Sequence, residues 1–283
     1  MAEKIYIDPE LSEDFSSIND IFQALKATGT HLSGFTLLKS RPVYIKSSSP
    51  IPLKRQIKSA FRSTGPWRSA PRVREFHNLL KLRERGLPAV RPLVAAENRV
   101  FGFLERQLLI TERVVDSNSL FDLAVQERLE QDQLLSINRR LGHLVGRMHN
   151  TGFCHGDLFM RNILVGRTGP EPSFHFIDCH QGRWTQLPGR ACAYDLGCYE
   201  KWAATFFDAK TRGHFFAGYL EARPGENLEK LLHLTDRARE RLILRRQKRK
   251  RKKHQKKQYL DPTFTPAPLD PALIFSLLNS QAK

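Results

Sequence analysis

Apolar residues before about position 113 occur in short runs bounded by turn residues, a pattern typical of β-strands. Residues 35–38 and 43–46 predict a hairpin. Residues 90–95 and 100–111 predict two further strands, joined by a turn at residues 98–99. The first part of the chain is therefore predicted to form a small sheet.

Helical spacing of apolar residues interrupts this sheet. Residues 17–25 could form a short helix, and residues 73–85 predict a longer one that ends at Gly86. The longer helix lies between the hairpin and the two later strands. A sheet with one inserted helix is thus expected in this part.

After position 113 the apolar spacing is helical. Residues 116–130 predict a first helix, with the segment 117–119 as its cap. Residues 134–148 carry apolar side chains on one face, and residues 202–220 and 228–244 predict further helices. With 283 residues, the chain suits two lobes around a cleft, the first rich in strands and the second helical.

The charge of the chain is strongly positive, +17, and concentrated in two segments. Residues 237–257 contain thirteen Lys or Arg against Glu240 alone, and residues 39–74 contain ten basic residues and no acidic one. Such blocks predict an anionic partner, which could be nucleic acid, a membrane surface or a phosphorylated substrate.

Cysteine usage and hydropathy indicate the compartment. The four cysteines show neither C-x-x-C spacing nor the density of a disulfide framework, so we expect a reducing cytoplasm. The charged N-terminal residues do not fit a signal peptide, and no apolar run approaches the roughly 18 residues that span a bilayer. Any membrane contact is expected to be peripheral.

The strongest chemical signal is the segment 155–165, HGDLFMRNILV. Asp157 is followed five residues later by Asn162 and then by an apolar run, the layout with which phosphotransferases orient an acceptor hydroxyl and hold a metal. A second strand-like run ends at Asp178, and the loop 166–172 between the runs predicts a hairpin. Asp157, Asn162 and Asp178 are therefore predicted to converge at one end of this hairpin.

These motifs resemble the catalytic loop of the kinase-like phosphotransferases. The pairing of His155-Gly156-Asp157 with Ile177-Asp178-Cys179-His180 is most similar to the lipopolysaccharide-core (Kdo/heptose) kinase family. The resemblance implies an α+β, bilobal protein-kinase-like fold, here with a basic helical C-terminal extension. It also implies an ATP-dependent phosphotransferase that requires Mg²⁺, with Asp157 as the catalytic residue and Asn162 and Asp178 as metal ligands.

The resemblance extends to the nucleotide-binding residues. Lys46 ends a strand similar to the V-A-I-K strand of protein kinases, where the Lys contacts ATP phosphates. Glu75 is the expected ion-pair partner of Lys46, with Glu84 as the competing candidate. No glycine-rich phosphate loop is visible, since only Gly34 lies near the corresponding place.

Three further residues are expected to have structural roles. His149 and His155 are interpreted as residues that pack or hold the catalytic loop. Asp195 lies in a segment similar to one whose Asp caps the following helix and braces that loop in the family.

We therefore expect a nucleotide-binding N-lobe with its extension over residues 1–113, a helical lobe with the catalytic loops over 114–236, and a basic segment with a partly ordered tail over 237–283. The expected reaction is phosphorylation of a Kdo or heptose sugar of a lipid-linked core oligosaccharide. The expected location is the cytoplasmic face of the inner membrane, on its anionic surface.

Two alternatives stay open. An atypical protein kinase would share every catalytic residue. A nucleic-acid-binding protein on a kinase-like fold would use residues 237–257 and need no catalysis, but the complete set of Asp157, Asn162 and Asp178 argues against it.

Overall fold

The structure is a computed structural model that describes residues 2–8, 33–38, 41–48, 69–126, 129–166, 171–186, 189–253 and 268–280. For residues 2–3 and 248–253 it describes the backbone alone. The described chain forms two compact units. The first unit comprises the described residues among 1–115 and 177–181, and the second comprises those among 116–176 and 182–283. The predicted helix at 17–25, most of the basic segment 39–74 and the tail at 254–267 lie outside the described residues.

The first unit is built on an antiparallel sheet of five strands. The strands are β1 (Ala2–Ile7), β2 (Ser33–Leu38), β3 (Arg41–Ser48), β4 (Pro92–Val100) and β5 (Phe103–Glu112). They lie in the order β1-β4-β5-β3-β2. The predicted hairpin at 35–46 is thereby confirmed, and it joins the later strands through β3 and β5.

Helix α1 (Pro71–Glu84) covers one face of this sheet. Because side chains alternate between the faces of a strand, Ala95 and Leu109 pack with Phe76 of α1, whereas Val94 and Ile110 belong to the core on the opposite face. Both cores are closed to solvent, which fixes the register of the strands.

The turn between β4 and β5 lies at Phe101 and Gly102, so the predicted turn at residues 98–99 is wrong. Both Phe101 (φ 50°) and Gly102 (φ 79°) have left-handed backbones, as a two-residue hairpin turn requires. Asn98 and Arg99 lie within the ladder at a register irregularity. Asn98 and Arg99 therefore indicate an irregularity within the strand pair, and Gly102 indicates the turn.

The second unit begins with a strand rather than with the predicted helix at 116–130. β6 (Ser117–Ser119) pairs with β8 (Ile163–Gly166), which pairs in turn with β9 (Ser173–Phe176). Helix α2 (Leu120–Val125) follows, and Ser119 caps it by accepting a hydrogen bond from the backbone N–H of Asp122 (3.0 Å). The β8–β9 hairpin confirms the prediction made from residues 163–178.

Four helices form the body of the second unit: α3 (Gln131–Asn150), α4 (Gly189–Phe206), α5 (Ala209–Ala222) and α6 (Leu228–Lys253). The single helix predicted at 202–220 is wrong, because Asp208 starts a new helix by accepting a hydrogen bond from the N–H of Thr211 (2.7 Å). Helix α3 crosses α5 so closely that a Cβ on Gly142 would lie 1.9 Å from the carbonyl oxygen of Phe215.

The C-terminal segment contains a helix that sequence analysis treated as part of a partly ordered tail. Helix α7 (Pro271–Asn279) is capped by Asp270 and buries Ile274. Arg139 of α3 donates a hydrogen bond to the carbonyl oxygen of Leu277 (3.0 Å) at its end. No helix in the described part of the chain combines the length and apolar content that a membrane crossing requires.

Candidate active site

The loop that carries Asp157 lies between α3 and the β8–β9 hairpin. Strand β7 (Phe153–Cys154) pairs with β10 (Arg183–Trp184) and begins the loop, and a 3₁₀ turn (Met160–Asn162) ends it. Gly156 has a left-handed backbone (φ 77°), which an L-residue other than glycine seldom adopts. The chain therefore turns sharply just before Asp157.

The carboxylate of Asp157 has one occupied oxygen and one open oxygen. Its Oδ2 accepts hydrogen bonds from the Asn162 Nδ2 and the Arg161 guanidinium, each at 3.1 Å. None of the described residues donates to its Oδ1, and the side chain is 22% exposed. Asp157 can thus accept a hydrogen bond from an incoming hydroxyl group without losing its present contacts.

Asn162 is oriented by the same loop. Its Nδ2 also donates to the backbone carbonyl oxygen of Asp157 (2.8 Å), so the amide nitrogen has two acceptors. This orientation leaves the Oδ1 of Asn162 without a donor among the described residues. An amide oxygen of this kind is a suitable ligand for a hard cation such as Mg²⁺.

Asp195 braces the loop from within α4. Its side chain is fully buried, and its two oxygens accept hydrogen bonds from the backbone N–H groups of His155 (2.5 Å) and Gly156 (2.7 Å). The expected brace is therefore present in the structure. The expected helix cap is wrong, because Asp195 lies in the interior of α4 and not at its start.

His149 completes this buried network. Its Nδ1 lies 3.0 Å from the hydroxyl of Tyr219, and its Nε2 lies 3.3 Å from Asp195 Oδ2. Because both ring nitrogens have partners, His149 supports the loop and has no lone pair left for a metal. The nearby thiols Cys154 and Cys192 do not change this conclusion, since their mutual contact, followed by burial, raises the pKa of Cys192.

The first unit contains the other predicted residues. Strand pairing places Lys46 opposite Leu109, on the face of the sheet that α1 covers. Lys46 Nζ consequently reaches Glu75 Oε1 of α1 at 2.6 Å, and Glu75 is 1% exposed. Glu84, the competing candidate, is exposed in the last turn of α1.

The segment after β9 is attached to α1. The backbone N–H of Asp178 donates to Glu75 Oε1 (3.1 Å), and the Nδ2 of Asn78 donates to the carbonyl oxygen of Cys179 (2.9 Å). Asp178 itself has a left-handed backbone (φ 59°), a strained conformation that recurs at functional sites. These contacts fix the direction of its carboxylate.

Asp178 lies among positive charges. Its Oδ1 is 3.5 Å from both Lys46 Nζ and the Arg72 guanidinium, and 3.2 Å from His180 Nδ1. Burial alone would raise the pKa of Asp178, but the hydrogen bond from His180 and the charge of Lys46 outweigh it and lower that pKa below its usual value. The carboxylate is therefore ionised at neutral pH.

A metal ion fits this part of the first unit by its donor atoms. Glu75, Asp178 and His180 each offer a ligand atom, and these atoms all lie within 4.8 Å of one another. Since Glu75 already accepts hydrogen bonds from three groups, Asp178 is the better oxygen ligand. An ionised, partly exposed carboxylate is the donor that Mg²⁺ prefers.

The model of the lipopolysaccharide kinase (Kdo/WaaP) family matches residues 47–219, more than half of the chain. The chain belongs to this family. The resemblance inferred from residues 155–180 is thereby confirmed.

Two curated relatives show the degree of similarity. The 3-deoxy-D-manno-octulosonic acid kinase of Pasteurella multocida is 34% identical over 130 residues, 45% of this chain and 47% of that protein. The enzyme of the same name from Actinobacillus succinogenes is 30% identical over 104 residues, 37% of this chain and 42% of that protein. The matched part therefore spans less than half the length of these relatives.

A solved structure gives the fold. The structure described as WaaP in complex with acyl carrier protein superimposes with a TM-score of 0.58 at 18% identity, and covers 84% of this chain and 99% of that chain. The predicted kinase-like α+β fold is confirmed by this likeness.

Sequence reasoning about the Kdo/WaaP family motifs missed two cations next to the site residues. Arg72 donates to Glu75 Oε2 (2.9 Å), and its i,i+3 spacing on α1 was a usable signal. Arg161 pairs with Asp157 at i,i+4, a spacing that was also visible. Both were obscured because arginines are abundant in this chain.

Proposed function

We propose that the chain transfers the γ-phosphoryl group of ATP to a hydroxyl of a Kdo or heptose sugar in the lipopolysaccharide inner core. The observation that carries this proposal is the state of Asp157, whose Oδ2 is held by Asn162 and Arg161 while its Oδ1 faces no donor among the described residues. A carboxylate held in this way can accept a hydrogen bond from an acceptor hydroxyl and so orient it for transfer.

In the proposed reaction the acceptor oxygen forms a bond to the γ-phosphorus, and the bond between that phosphorus and the β–γ bridging oxygen breaks. Asp157 accepts the proton of the hydroxyl late in the transfer, and ADP leaves. Because the transition state is loose, positioning and charge neutralisation contribute most of the rate.

Lys46 and Arg72 are proposed to neutralise phosphate charge, with Glu75 fixing the direction of both. Asn162 and Asp178 are proposed to hold Mg²⁺, which when bound would supply positive charge to neutralise the phosphate groups. The support for these roles is the open Oδ1 of Asn162 and the ionised carboxylate of Asp178.

The acceptor class is inferred from the Kdo/WaaP family and from the relatives, whose name states that they phosphorylate 3-deoxy-D-manno-octulosonic acid. An atypical protein kinase would use the same residues, so the acceptor must be tested by experiment. Mass spectrometry of core oligosaccharide from cells with and without the gene should show the loss of one phosphate group. An unchanged core would contradict the proposed acceptor.

We also propose that the protein docks on the anionic cytoplasmic leaflet, where a lipid-linked acceptor lies. Helix α6 supports this, because Arg237, Arg241 and Arg245 are exposed at successive i,i+4 positions and six consecutive basic residues follow at 248–253. Each Lys or Arg near an anionic membrane contributes about 1 kcal/mol. Nucleic acid is the competing anion.

A further inference from the structure

Lys201 of α4 is a buried lysine beside the Asp157 loop. The residue is 8% exposed as a whole, and within the described residues its ammonium group has no hydrogen-bond acceptor and no ion pair. The ammonium group is partly removed from solvent, and partial desolvation of a charge without an acceptor costs free energy of folding. Lys201 is therefore poorly explained as a structural residue.

Two aromatic rings join Lys201 to two arginines. The Lys201 Nζ lies 5.2 Å from the centre of the Phe159 ring and 5.5 Å from that of Trp202. The guanidinium of Arg161 lies 4.5 Å from the same Phe159 ring, and that of Arg246 lies 5.2 Å from the same Trp202 ring. Three cations thus gather around two shared rings.

These cations act on one another electrostatically. Burial, followed by the charges of Arg246 and Arg161, lowers the pKa of Lys201 to about 8, although Asp157 acts in the opposite direction. Side chains whose pKa is shifted by desolvation and by neighbouring charges cluster at functional sites. A bound oxyanion would relieve this repulsion and supply the missing acceptor.

We propose that Lys201, Arg161 and Arg246 form a subsite for an oxyanion carried by the acceptor sugar. This proposal rests on the proposed function, and it adds the feature of the acceptor that the protein recognises. The cluster is next to the reacting position, because Phe159 is two residues from Asp157 and Arg161 contacts Asp157 directly (3.1 Å).

The geometry gives the subsite a positioning role. An oxyanion held by a lysine and two arginines is fixed by charge-assisted hydrogen bonds, which are stronger than neutral ones. Since the carboxylate of Asp157 lies beside the cluster, the sugar would be anchored at its anionic group while a neighbouring hydroxyl meets Asp157. The subsite would then select sugar acids over neutral sugars.

The test uses the full-length protein and three variants. Lys201→Met removes the charge but keeps the apolar stem, Lys201→Arg restores the charge, and Lys210→Met is the control, because Lys210 is exposed on α5. The acceptor probes are the methyl glycoside of 3-deoxy-D-manno-octulosonic acid and the methyl ester of its carboxylate. Inorganic phosphate serves as a competitor.

Lys201→Met should raise KM for the acid about 10- to 100-fold, the range for losing a charge-assisted hydrogen bond, and leave KM for ATP unchanged. Lys201→Arg should recover most of the loss, and Lys210→Met should match the wild type. The ester should be a poor acceptor for the wild type. Lys201→Met should raise KM for the ester little further, because Lys201 and the carboxylate of the acceptor act as one pair.

Inorganic phosphate identifies the source of the oxyanion. If acid and ester are equal acceptors, but phosphate competes with the acceptor in the wild type and not in Lys201→Met, the recognised group is a phosphate of the acceptor. If the wild type and Lys201→Met have the same ratio of KM values for acid and ester, and phosphate inhibits both proteins equally, the subsite does not exist.

Equilibrium titration of the same glycoside separates this proposal from the proposed function. Binding of the acid that depends on Lys201, in the absence of any transfer to sugar, would retain the subsite and overturn the reaction. Transfer to acid and ester alike, with no effect of phosphate, would retain the reaction and overturn the subsite.

Discussion

Asp195 accepts the backbone N–H groups of His155 and Gly156 at 2.5 and 2.7 Å, although it lies in the interior of α4. The two hydrogen bonds attach the turn before Asp157 to the continuously buried stretch of that helix, residues 195–204. His149 contacts the same carboxylate and links it to α3. The direction of the Asp157 side chain therefore depends on a residue that has no direct contact with it.

Replacement of Asp195 by Asn should lower the free energy of unfolding by about 1–3 kcal/mol, because one buried backbone N–H loses its acceptor. It should also lower kcat more than it raises KM for ATP, since Asp157 lies in the braced loop whereas Lys46 and Glu75 lie elsewhere in the chain. Urea unfolding and steady-state kinetics measure the two effects. Asp132→Asn, an exposed position on α3, is the control. Equal kcat values in Asp195→Asn and wild type would show that the brace does not orient Asp157.

The pair of Lys46 and Glu75 should behave as one unit in kinetics. Lys46→Met should raise KM for ATP and lower kcat, and Glu75→Gln should do the same more mildly. The double variant should fall well short of the product of the two losses, because each residue orients the other. Losses that simply multiply would mean that the 2.6 Å contact has no role in nucleotide binding. Glu84→Gln, at an exposed position on the same helix, should be neutral.

The lowered pKa of Lys201 predicts a pH dependence of stability. Between about 8 and the ordinary value of 10.5 the unfolded chain retains a proton that the folded protein has released, so the free energy of unfolding rises with pH in that window. The groups that set this pKa are Arg246, Arg161, Cys198 and Asp157.

Lys201→Met removes this contribution, so it should be more stable than the wild type at pH 7.5, and the difference should shrink by pH 9.5. Urea unfolding across that range provides the measurement. If the difference in free energy of unfolding between the two proteins does not change with pH, the pKa of Lys201 is not lowered by folding.

The membrane proposal predicts that replacing the six basic residues at 248–253 with Gln releases the protein from anionic vesicles. Activity on a soluble acceptor sugar should stay near the wild-type value, because Arg245 and Arg246 are left in place. In the control variant, six exposed basic residues elsewhere in the chain are replaced with Gln, so that the net charge changes equally. These residues are Lys4, Lys81, Arg147, Arg190, Lys210 and Lys230.

Continued vesicle binding by the 248–253 variant in moderate salt would contradict this proposal, since exposed electrostatic attraction is screened within a Debye length. A wild-type preference for RNA over vesicles at equal ionic strength would favour the nucleic-acid alternative.

The local parts of the candidate site could be predicted from the sequence because each depends on short-range rules. The spacing of Asp157 and Asn162 puts both in one tight loop, where the amide of Asn162 donates to Asp157. Strand alternation and helical spacing together place Lys46 and Glu75 on facing surfaces of β3 and α1.

Other features depend on contacts between distant parts of the chain, which a single sequence does not encode visibly. Lys201 has no local pattern that relates it to Phe159, and it meets that ring only through the packing of α4 on the loop. The cap role of Asp195 was expected from the resemblance of its segment to one in the family, and it is wrong because the helix begins six residues earlier, at Gly189. The helix start at Asp208 was missed because apolar spacing continues across it.

The most direct test of the account is transfer of ³²P from γ-labelled ATP to lipid A carrying a 3-deoxy-D-manno-octulosonic acid residue, with Mg²⁺ and purified protein. The wild type should label this lipid, and Asp157→Ala should lose about 10²- to 10⁴-fold in rate, the range for a positioned acid or base. ATP binding by the variant should be nearly unchanged. Labelling of a protein substrate in place of the lipid, or more than a tenth of wild-type turnover in Asp157→Ala, would contradict the account.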